Sequence, residues 1–130
     1  MKDILKEFSN NREQGNQRIL GQNFLPYKRF FALDSGAYRE GTIPVKYKEL
    51  MGLECSAVLR CNDCIHYHVN RCIEEKCTID EFNEALNIAL VVGGSIVIPH
   101  LRYAYQILEE YGLINIISNS LSEELGYEER

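Results

Sequence analysis

A chain of 130 residues, 45% hydrophobic and 25% charged, has the length of one domain and the composition of a globular protein that buries its core without covalent staples. A net charge of −5 with no stripe of Lys and Arg argues against a nucleic-acid partner. The charged opening Met1-Lys2-Asp3 and the lack of a long apolar run argue against a signal peptide or a membrane span.

Taken in order, Lys2 to Gly21 begins amphipathically with Ile4, Leu5 and Phe8 and then turns polar from Asn10 to Arg18. This predicts an N-terminal helix within residues 1–24 whose polar middle faces solvent or a partner subunit. Gly21-Gln22-Asn23 punctuates the chain. Pro26 opens a second helix with an aromatic-rich face of Tyr27, Phe30, Phe31 and Leu33, which reads as core. Ser35-Gly36 and Gly41-Thr42 bracket a turn, and Tyr38 beside it is a pocket candidate on position alone. Pro44 to Leu59 is a third helix with Leu50, Leu53, Ala57 and Val58 as its apolar positions. Glu49, set just after two cationic residues, reads on local pattern as a solvated helix residue. A fourth helix is expected from Ile65 to Lys76, beginning at or beside the pair Cys61 and Cys64.

Thr78-Ile79-Asp80-Glu81 is a capping box that starts a strongly apolar helix through Phe82, Ala85, Leu86, Ala89, Leu90 and Val92. Gly93-Gly94 breaks it or lets helices approach closely. Ser95 to Tyr111 makes another helix, with Pro99 near its first turn and Gly112 ending it. His100 there reads as a hydrogen-bonded core or interface residue. Residues 113–130 form a short helix or interface arm ending in disorder from Gly126. The count is five or six helices, no strand and no repeat, so the fold class is all-α, a helical bundle. The apolar run from Ile88 to Leu101 exceeds what a thin bundle needs and points to burial between subunits.

The chemistry concentrates in Cys61-Asn62-Asp63-Cys64-Ile65-His66-Tyr67-His68. A helix N-terminus presents unpaired N–H groups and the positive end of the macrodipole, and both stabilise a thiolate, the reactive form of cysteine. On a helix Cys61, Cys64, His68 and Cys72 fall on one stripe, with His68 one turn from Cys64 and able to exchange a proton with it. His66 points about 160° away from that line and reads as structural or exposed. A metal site is disfavoured: a straight stripe of this kind spans roughly 16 Å, too long to close on one ion at about 2.0–2.3 Å. The chain has no second C-x-x-C. Cys55 and Cys77 read as small buried or half-exposed residues, and Cys72 lies too far from Cys64 for a disulfide on a rigid helix. Five cysteines without an export signal fit reduced cytoplasmic thiols and one functional pair.

The segment from about residue 30 to residue 108 resembles the alkylhydroperoxidase D-like branch of the carboxymuconolactone decarboxylase family. That branch carries a glutamate twelve positions before a C-x-x-C-x-x-x-H, and Glu49, Cys61, Cys64 and His68 keep every spacing. The run Ala85 to Gly94 also resembles the family's helix-and-glycine pattern. One position departs: better-known members have histidine before the second cysteine, and here it is Asp63, whose charge opposes thiolate formation.

The resemblance implies a thiol-dependent peroxidase or disulfide oxidoreductase. Cys64 would attack peroxide, Cys61 would close the disulfide, His68 would take the thiol proton and Glu49 would orient or relay it. A helix start by itself would favour Cys61 as the nucleophile instead. The resemblance further implies a trimer or hexamer of such protomers, no cofactor or metal beyond the cysteine pair, a small peroxide or disulfide substrate, and a separate protein reductant. Two other classes fit the residues. One is a lactone decarboxylase, which works on a small acid without a cysteine pair; the other is a non-enzymatic redox-sensing module.

Overall fold

Backbone chemistry at the helix ends sets the architecture. The computed structural model describes residues 3–116, and within them the chain forms six α-helices, one 3-10 turn and no strand. They are α1 (Asp3–Leu20), α2 (Leu25–Ala37), α3 (Val45–Val58), α4 (Asn62–Glu74), α5 (Ile79–Gly93) and α6 (Ile98–Glu110), with the 3-10 turn Ser95–Val97 leading into α6. The all-α expectation holds. The expected helix from Ser95 is split, because the Gly94 backbone (φ 79°) and Pro99 near the start of α6 set a tighter first turn.

α3 and α4 are joined by a minimal connection. Arg60 takes the left-handed conformation (φ 60°), and the N–H of Cys61 donates back to the Ser56 carbonyl at 3.0 Å. That is a Schellman ending, and it places Cys61 directly at the N-cap of α4. The far end of α4 repeats the device: Lys76 has φ 63°, and the Cys77 N–H donates to the Cys72 carbonyl at 2.9 Å. α5 then opens on the expected capping box, Glu81 N–H to Thr78 Oγ1 at 3.2 Å and Thr78 N–H to Glu81 Oε1 at 2.9 Å. An ion pair from Lys46 at 2.8 Å fixes Glu81 against α3.

α3 packs on both α4 and α5, and α4 packs on α6. Their shared core holds Leu53, Ala57, Ile65, Val69, Phe82, Leu86, Ala104 and Leu108. Burial of each of the larger ones, the Leu, Ile, Val and Phe side chains, stabilises the fold by about 1.5–3 kcal/mol. α1 crosses this unit through Leu5, which is buried, and Phe8, whose ring stacks on His66 at 3.7 Å. None of the helices among the described residues is long and apolar enough to cross a membrane.

Three expectations are corrected here. The aromatic face of α2 is not core in this protomer: no α2 residue is buried, and Phe30 and Leu33 are 65% and 71% exposed. Among the helices α2 packs mainly on α1. Cys55 is exposed rather than buried or half-exposed. Residues 113–116 are not helical; the rest of the expected C-terminal arm lies outside the described residues.

Candidate active site

Cys61 and Cys64 bring their sulfurs to disulfide distance at the start of α4, with Cα atoms 5.3 Å apart. Cys61 is the N-cap rather than a helical residue, so the stripe drawn from sequence begins one step outside the helix. Its Sγ accepts the backbone N–H of Cys64 at 3.3 Å, the role an N-cap oxygen usually plays. Negative charge on Cys61 sulfur is therefore met by a helix N-terminus. Cys64 is the exposed member of the pair and Cys61 the half-buried one.

One turn further along α4, His68 is buried, and its Nδ1 lies 3.1 Å from Oε2 of Glu49 on α3. Glu49 is only 1% exposed, so the solvated reading from local pattern is corrected. An isolated carboxylate at such depth would be strongly destabilising, and two partners offset that: the His68 ring and Arg71 Nε at 3.8 Å. Arg71 also pairs with Glu74 and Glu75, which hold its guanidinium beside the site.

A carboxylate can only accept, so the hydrogen between Glu49 and His68 sits on Nδ1. Nε2 is then an acceptor, and the Tyr38 hydroxyl lies 3.4 Å from it. Three neighbours thus converge on one imidazole: Glu49 beneath, Tyr38 on the other nitrogen, and the Tyr67 ring edge-on at 5.1 Å. The Arg12 guanidinium covers the Tyr67 ring at 3.9 Å, bringing α1 over the site.

The four residues expected from sequence therefore fall into two adjacent groups, the Cys61–Cys64 pair and the Glu49–His68 dyad. Sequence reading missed Arg71 and Gly52, and it marked Tyr38 as a pocket candidate on position alone. The available signal was Gly52, a glycine in the middle of a helix. A Cβ there would stand 2.6 Å from His68 Cε1 and 2.7 Å from Tyr38 Oη.

His66 lies on the other side of α4, buried between Phe8 and Tyr103, with Nδ1 3.1 Å from the Tyr103 hydroxyl and Nε2 without a partner. Burial pushes its pKa down, against the opposing pull of Asp63. It is structural. Asp63 itself is exposed on the same side of α4, where solvent screens its charge. His100, half-buried, bonds the Asn62 side chain at 2.7 Å and ties the start of α6 to the start of α4. Cys72 and Cys77 are buried free thiols, and burial pushes both pKa values up, that of Cys72 most strongly. Among the described residues no three His, Cys, Asp or Glu side chains are grouped to hold a metal ion.

The sequence pattern of the Carboxymuconolactone decarboxylase family matches residues 26–110. An uncharacterised protein of Cupriavidus necator is 26% identical over 86 residues, 66% of this chain and 74% of that one. A crystal structure of TM1620 from Thermotoga maritima superposes with a TM-score of 0.80 at 57% identity, covering 82% of this chain and 93% of its own. A second crystal structure of TM1620, described there as a carboxymuconolactone decarboxylase family protein with a suggested part in the antioxidative response, gives 0.78 at 50% identity, covering 92% and 95%. Apo-lpg0406 of Legionella pneumophila shares the fold, with a TM-score of 0.77 at 21% identity over 85% of this chain and 98% of its own. The chain belongs to the carboxymuconolactone decarboxylase family.

Proposed function

We propose that this protein is a thiol-dependent peroxidase of the alkylhydroperoxidase type. The observation that carries the reading is a C-x-x-C pair at disulfide distance at a helix start, with its exposed sulfur one turn above a buried Glu49–His68 dyad. In the reduced protein the two sulfurs have different roles. Cys64, the exposed one, attacks the terminal oxygen of a hydroperoxide; the O–O bond breaks, an alcohol leaves, and Cys64 becomes a sulfenic acid. The Cys61 thiolate, stabilised at the N-cap, attacks that sulfur and releases water. Two thiols and one hydroperoxide thus give one disulfide, one alcohol and one water. His68 takes the proton that Cys64 must lose, and Glu49 balances the imidazolium. A separate dithiol protein returns two electrons and two protons to the pair. No cofactor or metal is required.

The free thiols of Cys55, Cys72 and Cys77 fit a reducing compartment, and we place the protein in the cytoplasm. The exposed apolar faces of α2 and α5 support a homo-oligomer, trimeric or hexameric as the family resemblance implies.

The test is a stoichiometric titration of reduced protein with tert-butyl hydroperoxide, followed by mass-spectrometric disulfide mapping. One equivalent should close Cys61 to Cys64 and leave Cys55, Cys72 and Cys77 free, and a small dithiol should then sustain turnover. A disulfide involving Cys72 or Cys77, or no consumption of hydroperoxide, would overturn the assignment.

A further inference from the structure

Resting on that reading, we propose that Tyr38 is the third member of the proton path, orienting His68 and carrying the proton between its Nε2 and the dithiol. Nδ1 of His68 is committed to Glu49 at 3.1 Å, so Nε2 is the single ring nitrogen left to exchange a proton with a thiol. That nitrogen already faces the Tyr38 hydroxyl at 3.4 Å, the long end of hydrogen bonding and a distance that often shortens in a reacting complex. With Glu49 a carboxylate the donors run in one direction: Tyr38 O–H to Nε2, and Nδ1–H to Glu49. The phenol oxygen keeps its lone pairs and can accept a thiol hydrogen as its own hydrogen passes to the ring.

Two independent features build this contact into the fold. Lys48 of α3 donates to the carbonyls of Ala37 and Arg39, at 3.0 and 2.7 Å, and so clamps the backbone on both sides of Tyr38. Gly52, also on α3, leaves open the space that Tyr38 Oη and the His68 ring occupy, although glycine is disfavoured in a helix interior. A loop tyrosine merely resting on the surface requires neither. The titratable and charged groups around it are Glu49 and Cys55 from α3, Asp34 from α2, and Tyr67 from α4, with Arg71 behind Glu49. Burial first, and then the Glu49 charge, pushes the phenol's pKa up, so Tyr38 carries its hydroxyl hydrogen at neutral pH.

The experiment is the alkylation rate of Cys61 and Cys64 in the reduced protein against pH, read by mass spectrometry for the native chain, Tyr38→Phe, His68→Ala and the double variant. Tyr38→Phe should slow alkylation near neutral pH by about tenfold, a fraction of the ~10²–10⁴ typical of general acid–base help. It should change the rate less than about twofold in the His68→Ala background, because members of one path are not additive. An unchanged profile, a faster reaction, or an effect that multiplies with that of His68→Ala would overturn the proposal. Should Tyr38→Phe lose helicity, Lys48→Met serves instead: it frees the loop that holds Tyr38 without touching His68, and the same fall is expected. Alkylation does not depend on peroxide chemistry, so a protein that ignores hydroperoxide yet shows these profiles refutes the peroxidase reading alone.

Discussion

Glu49 and His68, nineteen positions apart and on different helices, meet at 3.1 Å in the interior. The contact joins the third helix to the fourth one turn below the cysteine pair. It gives a neutral imidazole a fixed tautomer, and it gives an imidazolium a counter-charge where water does not supply one. If proton uptake by His68 sets the thiolate fraction, removing either partner must show in thiol reactivity. His68→Ala should slow alkylation of Cys64 near neutral pH by ~10²-fold. Glu49→Gln, nearly isosteric, should slow it by about tenfold, less than loss of the base itself, since it removes the counter-charge of the imidazolium. His66→Gln should leave the rate unchanged. Rate profiles that coincide for the native chain and both dyad variants would show that the helix N-terminus alone sets reactivity.

His66 makes a separate prediction about stability. Its folded-state pKa is lowered by burial, and Asp63 counteracts this only in part. The folded chain therefore holds fewer protons on this residue than the unfolded chain does. Its stabilising contribution is complete above the unfolded pKa of about 6.5 and is lost as pH falls toward the folded value. Thermal unfolding followed from pH 7.5 down to pH 5 should show a falling Tm. His66→Phe should flatten that slope, since it removes both the titration and the unpartnered Nε2 while keeping the stack on Phe8. An equally steep slope in His66→Phe would assign the acid sensitivity to another group.

Much of the fold was legible because its signals are local. Pro26, the Thr78–Glu81 capping box and Gly112 mark helix ends by their own chemistry, and the apolar period of Leu50, Leu53 and Ala57 marks a core face. The depth of Glu49 was not legible locally, because Lys46 and Lys48 just precede it in sequence but project elsewhere: Lys46 reaches Glu81, and Lys48 reaches the α2–α3 loop. Only the spacing to Cys61 and His68 carried that information. Tyr38 was marked from sequence only as a pocket candidate; its partner, His68, was not legible, since a loop residue acquires its partner through tertiary placement. The α2 face misled for the opposite reason. An apolar stripe reports that something covers it, and not which chain does so.

Lys76 tests the backbone logic that shapes the far end of α4. It occupies the left-handed position of a Schellman turn, at φ 63°, where a Cβ meets steric resistance. Its side chain is exposed, so a glycine there removes strain without removing packing. Lys76→Gly should raise stability by about 0.5–1 kcal/mol, the relief of strain exceeding the added flexibility of the unfolded chain. Chemical denaturation would measure it, and a loss of stability would show that the turn is held by something other than its backbone conformation.

The last prediction concerns assembly. A 13-residue helix is marginal by itself in water. Yet α2 buries none of its residues against the rest of the protomer, and it leaves Leu25, Phe30 and Leu33 exposed. On α5 and the turn after it, Ile88, Val91, Val92 and Ile96 are exposed as well, Val91 by 74%. Contiguous apolar surface of this kind on a folded chain marks an interaction site once it exceeds a few hundred Å². Two such faces on one protomer suit association between copies, with each copy stabilising the helix that leads into Tyr38. Sedimentation at micromolar concentration should therefore give an oligomer. Leu33→Glu or Val91→Glu should shift it toward smaller species while the core helices persist by circular dichroism. A clean monomer for the native chain would mean that α2 is ordered by α1 alone, and that its aromatic face serves some other ligand.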